Sequence, residues 1–561
     1  MSSWQRSFIV LNPGLCISRH LGTTSTVIER ANMKIATADQ VAGMVEDRWF
    51  LTIGGFGHCG APEALISALE RRFINHGSPM SLSVIFASGV GDRENKGINR
   101  LAHKGLISTV IGGFWSLAPC IGEMVRGNEI EAYNWPQGVI SHLYRAIAGG
   151  LPGVITTTGL STFVDPRLGG GRLNNISTRQ LVDVMNVNGH DHLLYKAMPI
   201  HCALLRGTKS DAAGNISMEK EAGTYDVLAQ AQAVRNSGGI VIVQVERVVG
   251  DGEIDPQSVI IPGIFVDFVV VSDSAHHWQT YGEFFNSSYC TRQPRTGQFE
   301  VAFTSKAKEI ITRRALFELL VYAETSERTK PLVVNLGIGV PEGIAQEARR
   351  GGWLNDGIVL TVESGAIGGF PAGGSSFGAS ESPQAVLNQA ALFDFYNGGG
   401  IDIAFLGFGQ MDRQGRVDVC GFAKKLNGVG GFINISQAAR CLVFCGTFTV
   451  SGLNVVYGDV KGLEIVEEGR IQRFVTAIGH VCYDPGGYAR CREPLLITER
   501  AVFKIFKCHF EMIEIARGCI FSKDIKPYMG VPVTVSRKLK PMPEIVFGSE
   551  LMTRLSVLGT S

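Results

Sequence analysis

Twice in this chain an apolar, strand-like run enters a G-x-G turn, reaches Pro-Glu and continues as a helix. The first copy runs from Trp49–Ile53 through Gly54-Gly55-Phe56-Gly57-His58-Cys59-Gly60-Ala61-Pro62-Glu63. A helix then begins at Ala64–Leu69, with Pro62 suited to its first turn. The second copy runs from Leu332–Leu336 through Gly337-Ile338-Gly339-Val340-Pro341-Glu342, and its helix starts at Gly343. A strand, a tight glycine turn and a returning helix form the unit of an α/β layer. Its recurrence in each half predicts two α/β domains of one fold. Other apolar runs fit parallel sheets buried on both faces. They are Ser83–Phe86, Leu106–Ile111, Ile240–Val245 and Phe265–Val271 in the first half. In the second they are Ile401–Leu406, Cys441–Phe444 and Ala501–Phe506. Lys306–Glu324 reads as a helix. The resulting division is a leader or tail over 1–33, a first domain over 34–271, a polar linker over 272–300, a second domain over 301–543 and a C-terminal tail over 544–561.

Composition narrows the function classes. With Lys+Arg 52 against Asp+Glu 51, the chain has no charge excess to draw it to nucleic acid or an acidic membrane. No stretch is both long and apolar enough to span a bilayer; the windows near 105–122 and 441–458 are broken by Gly, Ser, Thr, Asn or Pro. The 12 cysteines lack a C-x-x-C frame and read as buried reduced thiols. Residues 1–28 contain no Asp or Glu but carry Arg6, Arg19, His20 and several Ser and Thr. Such a leader is similar to an organelle transit peptide, which makes a mitochondrial location the expectation. A cytoplasmic chain with a disordered tail, or a start at Met33, is the alternative.

Chemistry concentrates in one place. Ile358–Val362 feeds straight into Glu363, and six of the fifteen residues that follow are glycine. A charge at the end of an apolar strand is costly if buried, unless something there needs it. Neighbouring glycines let backbone N–H groups approach a bound group closely. The combination suits a carboxylate nucleophile, with a solvated strand-end glutamate as the plainer alternative. Other motifs carry less. Gly55-x-Gly57-x-x-Gly60 spells a dinucleotide fingerprint, but the strand near 82–86 lacks the acid that holds a ribose. His190-Asp191-His192 and His276-His277 lack further metal ligands at a recognisable spacing and read as surface or loop histidines. Gly374-Ser375-Ser376-Phe377-Gly378 follows no strand, as a nucleophile elbow must. Gly428-Val429-Gly430-Gly431, before the β-type run Phe432–Ser436, can aim bare N–H groups at an oxyanion or be an ordinary loop.

Val362-Glu363-Ser364-Gly365, with Gly368-Gly369-Phe370-Pro371-Ala372-Gly373-Gly374, resembles the active-site segment of family I coenzyme A transferases. Val334–Pro341, Gly428–Ser436, Tyr133–Val139 and Gly54–Leu65 resemble further segments of that family, in order from Lys34 to Pro543. The short-chain acyl-CoA:acetate or propionate (acetoacetyl-type) branch is the most similar in flavour. The succinyl branch has Ser-Glu-Asn-Gly where this chain has Val-Glu-Ser-Gly. The resemblance implies two open α/β domains with the site in the cleft between them. It implies that Glu363 is a covalent nucleophile forming a glutamyl-CoA thioester, that Gly431 and Ile338 supply oxyanion amides, and that Gln137 reaches toward the nucleophile. Gly337, Gly339, Gly365 and Gly430 are implied to bind CoA. The implied partners are acyl-CoA and small carboxylic acids, with no metal or redox cofactor, in a homodimer or homotetramer of short-chain fatty acid or ketone-body metabolism. A thioesterase on the same scaffold and a non-catalytic acyl-CoA sensor are the alternatives.

Overall fold

The computed structural model describes residues 34–293, 303–326, 330–353, 357–422 and 425–552, so the predicted leader lies outside the described residues. The first half builds an eight-stranded sheet. Its strands are β1 (Lys34–Ile35), β2 (Phe50–Ile53), β3 (Leu82–Ser88), β4 (Ile107–Phe114), β5 (Glu131–Asn134), β6 (Cys202–Arg206), β7 (Ile240–Val245) and β8 (Phe268–Val271). They lie in the order β1-β8-β7-β6-β2-β3-β4-β5, every neighbour parallel. Helices α1 (Glu63–His76), α2 (Gln137–Ala148) and α3 (Val227–Asn236) belong to this half. Pro62 caps α1 instead of entering its first turn.

The second half opens with α4 (Lys306–Thr325) and builds a ten-stranded sheet. Its parallel centre consists of β9 (Leu332–Leu336), β10 (Ile358–Thr361), β13 (Ile403–Gly407), β14 (Cys441–Cys445) and β15 (Leu495–Ile497). The short β11 (Ala366–Ile367) and β12 (Ala385–Val386) extend one edge. On the other edge lie β16 (Ala501–Phe506), β17 (His509–Ile515) and β18 (Val533–Pro541). The expected strand at Ala501–Phe506 is present, but it runs antiparallel to both neighbours. A connection of three residues joins it to β15, too short for the crossover that a parallel pair requires. Helices α5 (Glu342–Arg350), α6 (Gln389–Phe395) and α7 (Phe432–Ala438) complete the elements used below.

The repeated motif occupies the same station in both sheets. Strand β2 pairs with β3 on one side and with the much later β6 on the other. Strand β9 likewise pairs with β10 and then with β13. At such a switch point the following connections diverge, opening a crevice beyond the carboxyl ends of the strands. The two crevices meet where 427–434 docks on the first half. Trp115 N–H donates to the Asn427 carbonyl (2.8 Å), Gly430 N–H to Gly113 (2.9 Å) and Gln137 N–H to Gly430 (2.8 Å).

Two further sequence readings are corrected here. Phe432–Ser436, read as a β-type run, lies in α7, and its five residues are all buried. His277, read as a surface or loop residue, does lie in a loop but is buried there beside the Arg206–Glu221 ion pair, with Gln244 Nε2 at 3.0 Å from its Nδ1. Packing continues through parts of 272–293, where Thr280 and Tyr289 are buried, and through 546–552, where Val546, Phe547 and Met552 are. The 11 described cysteines are free; Cys508 is exposed. Among the described residues no helix is long and apolar enough to cross a membrane.

Candidate active site

Glu363 stands two residues past β10. Val362 N–H donates to the Ala366 carbonyl and Gly365 N–H to Val362, both at 3.0 Å, which closes a tight turn into β11. The turn holds Glu363 at the carboxyl edge of the sheet with 8% of its surface exposed. Burial pushes its carboxyl up from 4.5 to about 7, against smaller opposing effects of its own backbone N–H and the Asn335 side chain. Oε2 has no hydrogen-bond partner among the described residues. A buried carboxylate with an unsatisfied oxygen is destabilising unless a ligand completes it.

Glu363 lines a cavity of about 460 Å³, and Gln137, Ile338 and Gly431 line the same cavity. Four residues that are far apart in sequence are thus brought together. Gly431 caps α7 and passes so close to Glu363 that a Cβ there would lie 3.2 Å from its Cγ and 3.4 Å from Oε1. Among the described residues, the N–H groups of Gly431 and Ile338 find no acceptor. Their neighbours do: Gly430 N–H is bound to Gly113, Phe432 to Val429, and Gly339 to Glu342 Oε1 at 2.8 Å. The two amides assigned to an oxyanion by resemblance are therefore unspent donors on the cavity wall.

Of the glycines assigned to CoA, Gly337, Gly339 and Gly430 line the cavity and Gly365 does not. Gly365 has φ +122°, and a Cβ there would lie 1.9 Å from the Leu387 carbonyl oxygen, so the turn itself demands glycine. The dinucleotide-like glycines are also used internally: a Cβ at Gly60 would lie 2.4 Å from the Tyr225 ring. A two-residue strand, Phe370–Pro371, does precede this segment, but Ser375 and Ser376 lie in a single 3-10 turn and not at a strand-to-helix elbow. His190 and His192 sit on one strand, and no group of three or more His, Cys, Asp or Glu suited to a metal gathers among the described residues.

Several lining residues carried no sequence signal. Phe56, Phe114, Phe377 and Phe408 supply apolar walls. Lys308 and Arg473 are the cations. Arg473 donates to the carbonyls of Gly409 (3.1 Å), Thr447 (3.0 Å) and Phe408, and burial lowers its pKa to about 10. No carboxylate hydrogen-bonds it among the described residues, and the charge of Glu499 opposes the effect of burial only in part.

The protonation of Glu363 gives a first prediction. In the nucleophile role that the resemblance implies for Glu363, only the carboxylate form can attack, so kcat/KM for an acyl-CoA is expected to rise with pH through about 7 and level off above it. Its folded pKa lies above the ordinary 4.5, so the folded state holds this proton more tightly than the unfolded chain. Stability should accordingly fall as pH rises from 4.5 to about 7, and Glu363→Gln should remove that loss. A pH–rate profile flat from pH 5.5 to 8.5 would contradict this assignment.

Comparison with known proteins agrees with the geometry. A family model described as coenzyme A transferase matches residues 34–272. The chain is 37% identical over 521 residues to the acetate CoA-transferase YdiF of Escherichia coli strain K12, covering 91% of this chain and 95% of that one. It is 36% identical over 527 residues to the caffeate CoA-transferase of Acetobacterium woodii, covering 92% and 98%. The crystal structure of the YdiF acyl-CoA transferase apoenzyme from Escherichia coli O157:H7 superposes with a TM-score of 0.85 at 35% identity, covering 93% of this chain and 97% of that one. A thioester complex of the same enzyme with CoA gives 0.84. This chain, an enzyme of the α/β class, belongs to the coenzyme A transferase family.

Proposed function

We propose that this enzyme moves CoA between a short-chain acyl-CoA and a free carboxylic acid through a glutamyl-CoA thioester on Glu363. The observation that carries the reading is a buried carboxylate with an unpartnered oxygen, packed against Gly431, in a cavity that also holds two unspent backbone donors. A Glu363 oxygen attacks the thioester carbonyl; the C–S bond breaks, giving an acyl-glutamyl anhydride and CoA thiolate. The thiolate attacks the glutamyl carbonyl, the anhydride C–O bond breaks, and the first acid departs. The incoming carboxylate then reverses both steps. Each addition builds an oxyanion, for which the Gly431 and Ile338 amides are the available donors. Lys308 and Arg473 suit the anionic ends of the substrates. The phenylalanine walls keep water from the anhydride. The related enzyme whose thioester complex with CoA has been solved supports this route.

The test is acceptor dependence. Release of CoA from acetyl-CoA or propionyl-CoA is expected to need an added acid and to follow ping-pong kinetics, with acetate, propionate, butyrate and acetoacetate as the panel. CoA release as fast without an acid as with one would make the enzyme a thioesterase.

A further inference from the structure

Behind Gln137 lies a buried polar chain that the reaction scheme does not use. Gln137 opens α2, Gln389 opens α6, and Asp226 precedes α3. Gln137 Nε2 donates to Gln389 Oε1 at 2.8 Å, and Gln389 Nε2 donates to Asp226 Oδ2 at 2.9 Å. Ser141 Oγ, one helical turn along α2 from Gln137, donates to the same Oδ2 at 2.9 Å. The Gln389 backbone N–H also donates to the Tyr225 carbonyl at 3.0 Å, tying α6 to the segment that carries Asp226. None of the four side chains is more than 5% exposed.

The direction of this chain follows from what each group can do. Asp226 Oδ2 accepts from both Ser141 Oγ and Gln389 Nε2, and although burial raises this carboxyl from 3.8 to about 7, above that pH it can only accept, which compels Gln389 to turn its NH2 end toward Asp226. Gln389 then has only its oxygen left for Gln137, and Gln137 must answer with an N–H. Each amide sense is set by the one before it, and the last of the three lines the Glu363 cavity. The Gln137 backbone N–H is already spent on the Gly430 carbonyl, next to the unspent amide of Gly431. We infer that Asp226, acting through Gln389, is a positioning residue: it fixes which end of the Gln137 amide meets the group reacting at Glu363. The inference rests on the transferase reading above. A buried polar cluster that merely stabilises the junction of three helices would have the same contacts but no directional requirement.

The experiment exploits that requirement. Asp226→Asn keeps shape and hydrogen-bonding capacity but offers either an oxygen or an NH2, so both glutamine amides lose their imposed sense. Its kcat should fall about tenfold or more. KM for acyl-CoA should stay within about twofold, since affinity comes largely from the remote parts of CoA. The rate of thioester formation on Glu363, trapped by borohydride, should fall in step with kcat. The double variant D226N/Q389E moves the acceptor-only group one place along. Its new carboxylate accepts from Gln137 on one side and from the new amide on the other, so most of the rate should return. Wild-type kcat in Asp226→Asn would overturn the proposal, as would a loss that tracks thermal destabilisation and persists in the double variant. If Asp226→Asn does not fold, Gln389→Met breaks the middle link, and a wild-type kcat there is equally fatal. The wild-type trap separates the two readings. No thioester at Glu363 in the wild type sinks the transferase reading and the relay with it. A normal wild-type trap with equal trapping in Asp226→Asn sinks the relay alone.

Discussion

Replacing Glu363 with Gln or Ala should leave a folded protein with transferase activity reduced by about ten-thousandfold or more, the scale seen when a covalent nucleophile is removed. The size follows from the route: without this oxygen there is no anhydride and no glutamyl thioester, and among the described residues no second carboxylate lines the cavity. Glu363→Asp is the more informative variant. It keeps the charge but withdraws the carboxylate by one methylene, about 1.5 Å by ordinary C–C geometry. Attack requires reacting atoms within about 3–3.5 Å, so a loss of at least about a hundredfold is expected. Binding of CoA should change little in the Gln variant, because affinity is spread over the nucleotide and pantetheine. Steady-state exchange of label between CoA esters and free acids measures the first effect, and calorimetric titration with CoA the second.

Gly431→Ala and Gly365→Ala should fail in opposite ways. Gly431 has φ −79°, which alanine adopts freely, so the fold should persist. Its new methyl would press on Glu363 Cγ at 3.2 Å and on Oε1 at 3.4 Å, displacing the nucleophile relative to the amide beside it. Alanine keeps the backbone N–H, so the loss comes from misplacement of the Glu363 carboxylate relative to it, and a misplacement of about 1 Å costs about 10². A fall of about a hundredfold or more in kcat is expected with an unchanged melting temperature. At Gly365 the added carbon would lie 1.9 Å from the Leu387 carbonyl oxygen, on a backbone with φ +122°. That variant should lose thermal stability together with activity. Parallel thermal melts and exchange assays check both, and a stable, fully active Gly431→Ala would remove Gly431 from the chemistry.

These two glycines show what was legible in the sequence and what was not. Both stand in glycine-rich segments, and both drew a site role; only three-dimensional contact separates a glycine demanded by a turn from one demanded by a neighbour. The paired strand–turn–helix motifs were legible because Gly and Pro punctuate them and both strands are apolar apart from Thr52 and Asn335. Glu363 was legible because a lone acid at the end of such a strand has few inexpensive explanations. Phe432–Ser436 misled because Ile433-Asn434-Ile435-Ser436 alternates apolar and polar residues as a half-buried strand does and its isoleucines are β-branched, whereas all five residues are buried in a helix. Ala501–Phe506 gave its strand but not its direction, which depends on the length of the connection and not on the run itself. Asp226 and Gln389 left no trace at all. Gln389 lies 252 positions from Gln137 and 163 from Asp226, and ordinary polar residues become a relay only when three helix starts converge. Arg473 and Lys308 were hidden for the same reason.

In the proposed route CoA becomes covalently bound to one particular glutamate. Incubation with acyl-CoA in the absence of an acceptor acid should accumulate a thioester between CoA and Glu363. Borohydride reduces thioesters but spares carboxylates, so it should inactivate the enzyme only after that incubation. Peptide mass spectrometry should then place the change within Thr361–Gly369. A thioester mapped to any other residue, or full inactivation by borohydride without prior acyl-CoA, would contradict the account.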